Sequence, residues 1–98
     1  MNGDAYFYAC QKNKVDIVKM LIEAFKINVN QKNEYGDTGF IYACKNDSLE
    51  VLELLLEKYP NIINQKNEYG ETGFMYACKY NRLKVVELLL ETFPDIIN

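Results

Sequence analysis

The sequence predicts an all-α solenoid, a stack of helix-turn-helix units with projecting hairpin loops. Three observations lead there. The heptapeptide Asn30-Gln31-Lys32-Asn33-Glu34-Tyr35-Gly36 recurs unchanged from Asn64 to Gly70, 34 residues later. Apolar residues in each copy fall at helical rather than alternating spacing. Turn-forming residues stand at the same offset in every copy. A fixed period of this length marks a repeat architecture. In such a stack each unit buries its apolar face only against a neighbour.

The repeat continues beyond the heptapeptide. Thr38-Gly39-Phe40 returns as Thr72-Gly73-Phe74, and Tyr42-Ala43-Cys44-Lys45 as Tyr76-Ala77-Cys78-Lys79. Residues 33–64 and 67–98 agree at 22 of 32 positions, enough to require one shared fold. Shifted backward, Tyr8-Ala9-Cys10 matches Tyr42-Ala43-Cys44, and Met20-Leu21-Ile22-Glu23 matches Leu54-Leu55-Leu56-Glu57. One array of three units follows, at about 1–32, 33–66 and 67–98. The first and last copies are incomplete without clear caps, so both ends are expected to expose Leu, Ile and Phe.

Within a unit, the first helix is predicted from about Thr38 to Asn46. Thr38 is a good N-cap, accepting a bond from a first-turn amide. Phe40, Ala43 and Cys44 share one face. Asp47, like Asn13 and Asn81, stands where the chain must reverse, and Asn and Asp tolerate the left-handed conformation. The second helix is predicted from about Leu49 to Lys58. Leu49, Leu52, Leu55 and Leu56 point inward, Val51 and Leu54 widen the stripe, and Glu50, Glu53 and Glu57 point out. Pro60 ends it. Tyr35-Gly36 marks a tight turn at a projecting tip.

These residues resemble the ankyrin repeat. Gly36-Asp37-Thr38-Gly39-Phe40-Ile41-Tyr42-Ala43-Cys44 is similar to the family's turn and first helix. Leu49-Glu50-Val51-Leu52-Glu53-Leu54-Leu55-Leu56 is similar to its Leu-rich second helix, and Val29-Asn30 and Ile63-Asn64 to its Val-Asn. The chain departs from the pattern in three ways. Gly39 and Gly73 (Ala5 in the first unit) replace the usual Pro. Ile41, Met75 and Phe7 replace the usual His. The period is 34 rather than 33, with the extra residue near Pro60 and Pro94.

The resemblance implies an ankyrin-repeat solenoid that acts as a scaffold for protein–protein interaction. Partners of the family dock on the concave face, made of hairpin tips and first-helix ends. Carried over by position, the tips offer Glu34, Tyr35 and Asp37, then Glu68, Tyr69 and Glu71. The helix ends offer Gln11 and Lys12, Lys45 and Asn46, then Lys79 and Tyr80. Tyrosine suits such a surface, because it adds area and a polar tip at low entropy cost. Asn30 and Asn64 fall where family asparagines are sometimes hydroxylated; the reading adopted is that they bond the hairpin backbone.

Composition narrows the function classes. The chain has 98 residues, a net charge of −3 and no histidine. An acidic balance argues against nucleic acid and against an anionic membrane surface. Without histidine the commonest general base and metal ligand are missing. No phosphate-cradling Gly loop and no nucleophile beside a base is present, so no enzyme, cofactor or metal is expected. No leader and no membrane span is read, and three cysteines without a Cys-x-x-Cys fit a reduced, intracellular setting.

Other periodic features have plainer readings. Cys10, Cys44 and Cys78 are taken as small core residues where the family has Ala. Stacked helices lie roughly 8–10 Å apart, beyond the roughly 7 Å reach of a disulfide. The line Glu50, Glu53, Glu57 is a solvated helix back, since Lys84 breaks it in the third unit. Tyr8, Tyr42 and Tyr76 are expected to pack within the helix pair rather than to form a ligand ladder. Asn46-Asp47-Ser48 spells a glycosylation acceptor, read as chance at a tight turn.

Two alternatives to the scaffold reading stand. Uncapped ends would let the array self-assemble as a homo-oligomer, by end-to-end stacking or by a domain swap. The near identity of the last two units also suits an engineered or consensus-like chain with no native partner.

Overall fold

Thr38 Oγ1 accepts the Ile41 backbone N–H at 3.2 Å, and Thr72 Oγ1 accepts that of Met75 at the same distance. These caps start two short helices with the same sequence logic. In the computed structural model, which describes residues 2–97, the helices come in three pairs. The first pair is α1 (Asn2–Gln11) and α2 (Val15–Glu23), the second α3 (Gly39–Lys45) and α4 (Leu49–Lys58), the third α5 (Gly73–Lys79) and α6 (Leu83–Thr92). No strand occurs among the described residues.

The turn inside each pair has the expected chemistry. Asn13, Asp47 and Asn81 have φ of 58°, 62° and 59°, the left-handed region. Lys26 also has a positive φ, 52°, which its type did not announce. Pro60 does more than stop a helix: it opens a 3₁₀ turn, Pro60–Asn64, and Pro94 opens another, Pro94–Ile97. The first of these turns covers the place where the extra residue of the 34-residue period is expected, before the chain crosses to the next unit.

α1, α3 and α5 form one closely packed row, and α2 packs on α4 in a second, looser row. Glycine explains the close row. A Cβ on Gly39 would lie 2.7 Å from the Tyr6 ring and 2.8 Å from Cys10 Sγ. A Cβ on Gly73 would lie 2.6 Å from Cys44 Sγ and 2.9 Å from the Phe40 ring. The cysteine of one unit therefore fills the space that the glycine of the next leaves open. This accounts for the family's proline being absent from this place.

The core runs between the rows. Phe40, Ile41, Ala43, Cys44, Val51, Leu52 and Leu55 are fully buried, as are Val85 and Leu89 of the third pair. Leu49 is only partly covered, and its counterpart Leu83 is 68% exposed. Polar ties register the pairs: Ser48 Oγ donates to the Gln11 carbonyl at 3.0 Å, and Arg82 Nε donates to the Lys45 carbonyl at 2.7 Å. Asn13 Oδ1 accepts the Val51 N–H at 3.1 Å, tying the first interhelical turn to the start of α4. Among the described residues no helix is long and apolar enough to cross a membrane.

Candidate functional site

Each hairpin is folded around one asparagine. Asn33 Oδ1 accepts the N–H groups of Tyr35 at 2.9 Å and Asp37 at 3.0 Å. Its own N–H donates to the Asp37 carbonyl, and its carbonyl accepts the Gly36 N–H, both at 3.0 Å. Asn67 repeats the pattern with Tyr69 at 2.9 Å and Glu71 at 3.0 Å. An asparagine that bonds the backbone two residues on is an Asx turn. Gly36 and Gly70 complete the turns with φ of 78° and 74°.

This reassigns the role expected of Asn30 and Asn64. Both are exposed, and Asn30 Oδ1 accepts from the Gln65 side chain instead of bonding a hairpin. The signal that identifies Asn33 and Asn67 was present in the repeated Asn-Glu-Tyr-Gly. The asparagine stands two residues before the first amide to be bonded, whereas Asn30 and Asn64 lie too far upstream.

The hairpins also bond to each other and to the helices behind them. The Glu68 N–H donates to the Tyr35 carbonyl at 3.2 Å. Asn67 Nδ2 donates to Asp37 Oδ1 at 3.0 Å and to Tyr76 Oη at 3.0 Å. Asn33 Nδ2 donates to Tyr42 Oη at 2.6 Å. Tyr42 and Tyr76 thus reach forward to hold the hairpins, instead of packing only within the helix pair as expected. Tyr8 is 58% exposed.

The anchored tips hold their side chains in solvent. Tyr35 is 52% exposed, Tyr69 is 71% exposed, and Glu34 and Glu68 are exposed. Asp37, expected to be offered there, is 6% exposed and turned to Asn67, so it supports the face from beneath. Glu71 is half-buried beside Asn67, whose bond is the first cause of its carboxyl lying below the usual range.

At the ends of the first helices the second and third units differ. Asn46 Nδ2 donates to the Tyr42 carbonyl at 2.8 Å and closes its own helix. Tyr80 instead stacks on Tyr76, with ring centroids 5.9 Å apart and planes 8° apart. Lys45 Nζ lies 5.5 Å from both ring centroids. Lys79 Nζ lies 5.8 Å from the Tyr76 centroid and 3.7 Å from Glu71 Oε2. Burial first, and Glu71 second, pushes the Tyr76 hydroxyl up to about 12, so it stays protonated at neutral pH. Gln11 and Lys12 hold the matching helix end in the first unit, both exposed.

Among the described residues no three Cys, Asp or Glu side chains form a metal-binding group. Burial pushes the Cys10 thiol up to about 12 and the Cys44 thiol higher still; Cys78 is exposed. A hollow of about 630 Å³ is lined by the third pair and by the segment that crosses to it from the second. Its walls are mostly apolar, with Ile63, Phe74, Met75, Phe93 and Ile96, and they also carry Lys66 and Asp95.

Comparison with known proteins agrees with this architecture. Residues 6–98 match the family model for ankyrin repeats, in three copies. A chain in the solved complex of a predatory endopeptidase from Bdellovibrio bacteriovorus with an immunity protein is 28% identical, with a TM-score of 0.82. The match covers 91% of the present chain and 46% of that one, so the present chain spans under half the length of its structural neighbour. No curated protein matches.

Proposed function

Because the chain belongs to the ankyrin repeat family, we propose that it is a non-catalytic scaffold that binds a partner protein through its hairpin tips and first-helix ends. The observation that carries this reading is the bonded ladder of Asn33, Asp37 and Asn67. It fixes the backbone of both tips and leaves Tyr35 and Tyr69 in solvent. Aromatic residues on a pre-ordered backbone lose less entropy on binding, which is what a contact residue needs. Glu34, Glu68 and Glu71 frame them, and Lys45, Asn46, Lys79 and Tyr80 continue the surface onto the helices. The neighbour in a protein–protein complex supports a protein as the partner. Three free thiols, one of them exposed, suit a reduced, intracellular setting.

The test is capture of a partner by the wild-type chain and by Tyr35→Ala combined with Tyr69→Ala. Both residues are exposed, so the double variant keeps its helicity and melting temperature while losing the partner. Equal capture by both proteins moves the contact surface elsewhere.

End-to-end self-association is the second reading, and the apolar hollow at the third unit favours it. Steric fit counts against it. Stacking a second copy in the repeat register puts Ala5 on Phe74 and Cys78, where Gly39 and Gly73 sit on their own neighbours. The Cβ that Gly73 lacks would meet sulfur at 2.6 Å, and Ala5 has that Cβ. Light scattering decides: a constant monomer mass supports the scaffold, and a mass rising with concentration supports self-association.

A further inference from the structure

The helix-end cluster between the second and third units is a local exception on an acidic molecule. Lys45, Lys79 and Arg82 meet there in a chain of net charge −3. Among the described residues only two ion pairs form, Lys58–Glu23 and Lys79–Glu71, so Lys45 has no carboxylate partner. Its ammonium lies over the faces of Tyr76 and Tyr80 instead. Ring faces attract a cation but do not neutralise it. Arg82 clamps the carbonyl of Lys45 from below, which steadies the helix end that presents it.

The cluster is also not a feature of the repeat as such. Tyr80 and Arg82 stand where the second unit has Asn46 and Ser48, and Lys45 comes from the second unit, so only this junction can build it. Glu34 and Glu68 are exposed on the adjacent tips, with Glu71 between tip and helix end. A continuous polyanion would therefore be attracted at the helix ends and repelled at the tips.

Resting on the reading of this face as a binding surface, we propose that Lys45 and Lys79, held over the Tyr76–Tyr80 pair, receive a carboxylate side chain from an extended segment of the partner protein. The same segment places basic residues over Glu34 and Glu68. The guest carboxylate gains two ammonium groups, and its methylene stem lies against the exposed ring of Tyr80, Tyr76 itself being buried. Desolvation between the two lysines makes the contact stronger than an open surface pair. The alternation of charge, acidic at the helix ends and basic at the tips, would fix the direction in which the segment lies.

The probe is a display library of random peptides selected on the wild-type chain. Selected peptides are expected to pair an acidic residue with a basic one a few positions away. Their affinity is expected to fall about tenfold in Lys45→Gln combined with Lys79→Gln, a loss typical of a removed charge contact. Because both lysines are on the surface, circular dichroism and melting are expected to match wild type. Lys45→Glu with Lys79→Glu is expected to bind the peptide whose acidic residue is changed to lysine. Peptides that ignore the lysine variants but need Tyr35 and Tyr69 would overturn the carboxylate site and leave the scaffold reading intact. Peptides that ignore both sets would overturn both. Displacement by single-stranded RNA at constant ionic strength would assign the cluster to phosphates, and failure to select any peptide would also count against the site.

Discussion

Ile41 and Met75 hold the same place in the second and third units, yet Ile41 is fully buried and Met75 is 51% exposed. The contrast repeats along the two units. Cys44 is buried and Cys78 exposed; Phe40 is sealed and Phe74 only partly covered. The local sequences agree at 22 of 32 positions, and both first helices begin with a threonine cap and end at a lysine. What separates them is the unit stacked on the second and none described on the third. Local sequence forms the helix pair, and the neighbour decides how much each side chain contributes to stability.

The widest gap is expected at that first pair. Ile41→Ala removes a sealed side chain and should cost about 2–5 kcal/mol. Met75→Ala, half in solvent, should stay within about 0.5 kcal/mol. Chemical denaturation of the two variants measures both, and equal losses would break the comparison.

The hairpin glycines come next. Both have positive φ, so alanine at either should cost about 1–2 kcal/mol. Gly36→Ala carries a further penalty, because its Cβ would lie 2.7 Å from the Glu68 backbone nitrogen, while a Cβ on Gly70 meets nothing within 4 Å. Gly36→Ala should therefore melt lower than Gly70→Ala. The reverse order would mean that the hairpin of the second unit does not rest against that of the third.

A smaller effect is expected at the close helix row. Gly73→Ala improves helix propensity by up to about 1 kcal/mol but forces a carbon against Cys44 Sγ, an overpacking that should cost about 1–3 kcal/mol. Cys44→Ala in the same chain removes the sulfur contact, leaving the Phe40 ring at 2.9 Å to give way. A double-mutant cycle should show favourable coupling of at least about 0.5 kcal/mol between the two alanines. Additive losses would mean that the row has room to spare. The slightest perturbation is chemical: a disulfide reagent applied to the native protein should label Cys78 quickly, and Cys10 and Cys44 only on unfolding, since burial raises both thiols. Equal labelling of all three would mean that the first two units open readily.

Much of this fold was legible because repeats announce themselves. The threonine caps, the left-handed turn residues and the α4 helix from Leu49 to Lys58 follow from local rules that tertiary packing did not override. The substituted proline was visible as Gly39 and Gly73, but its reason was not. It needs the cysteine of the preceding unit, a residue 29 positions earlier in both cases (Cys10 to Gly39, Cys44 to Gly73), brought close only by stacking. The candidate face was legible in outline, since period places Tyr35 and Tyr69 at tips. Family position favoured Asn30 and Asn64 as hairpin anchors, whereas the Asx-turn spacing belongs to Asn33 and Asn67. The inward turn of Asp37 depends on a bond to another hairpin, and the Tyr76–Tyr80 stack on the rings of a helix residue and of its C-cap lying parallel. Neither leaves a mark in composition or period.

The most direct test of the scaffold is site-specific photo-crosslinking in cells. A photoreactive residue placed at Tyr35 or Tyr69 probes the tips, and one at Glu53 or Glu87 probes the exposed backs of α4 and α6. Both tip positions are expected to join to the same protein and the helix-back positions to none. Crosslinks from Glu53 and Glu87 with silent tips would contradict the scaffold reading.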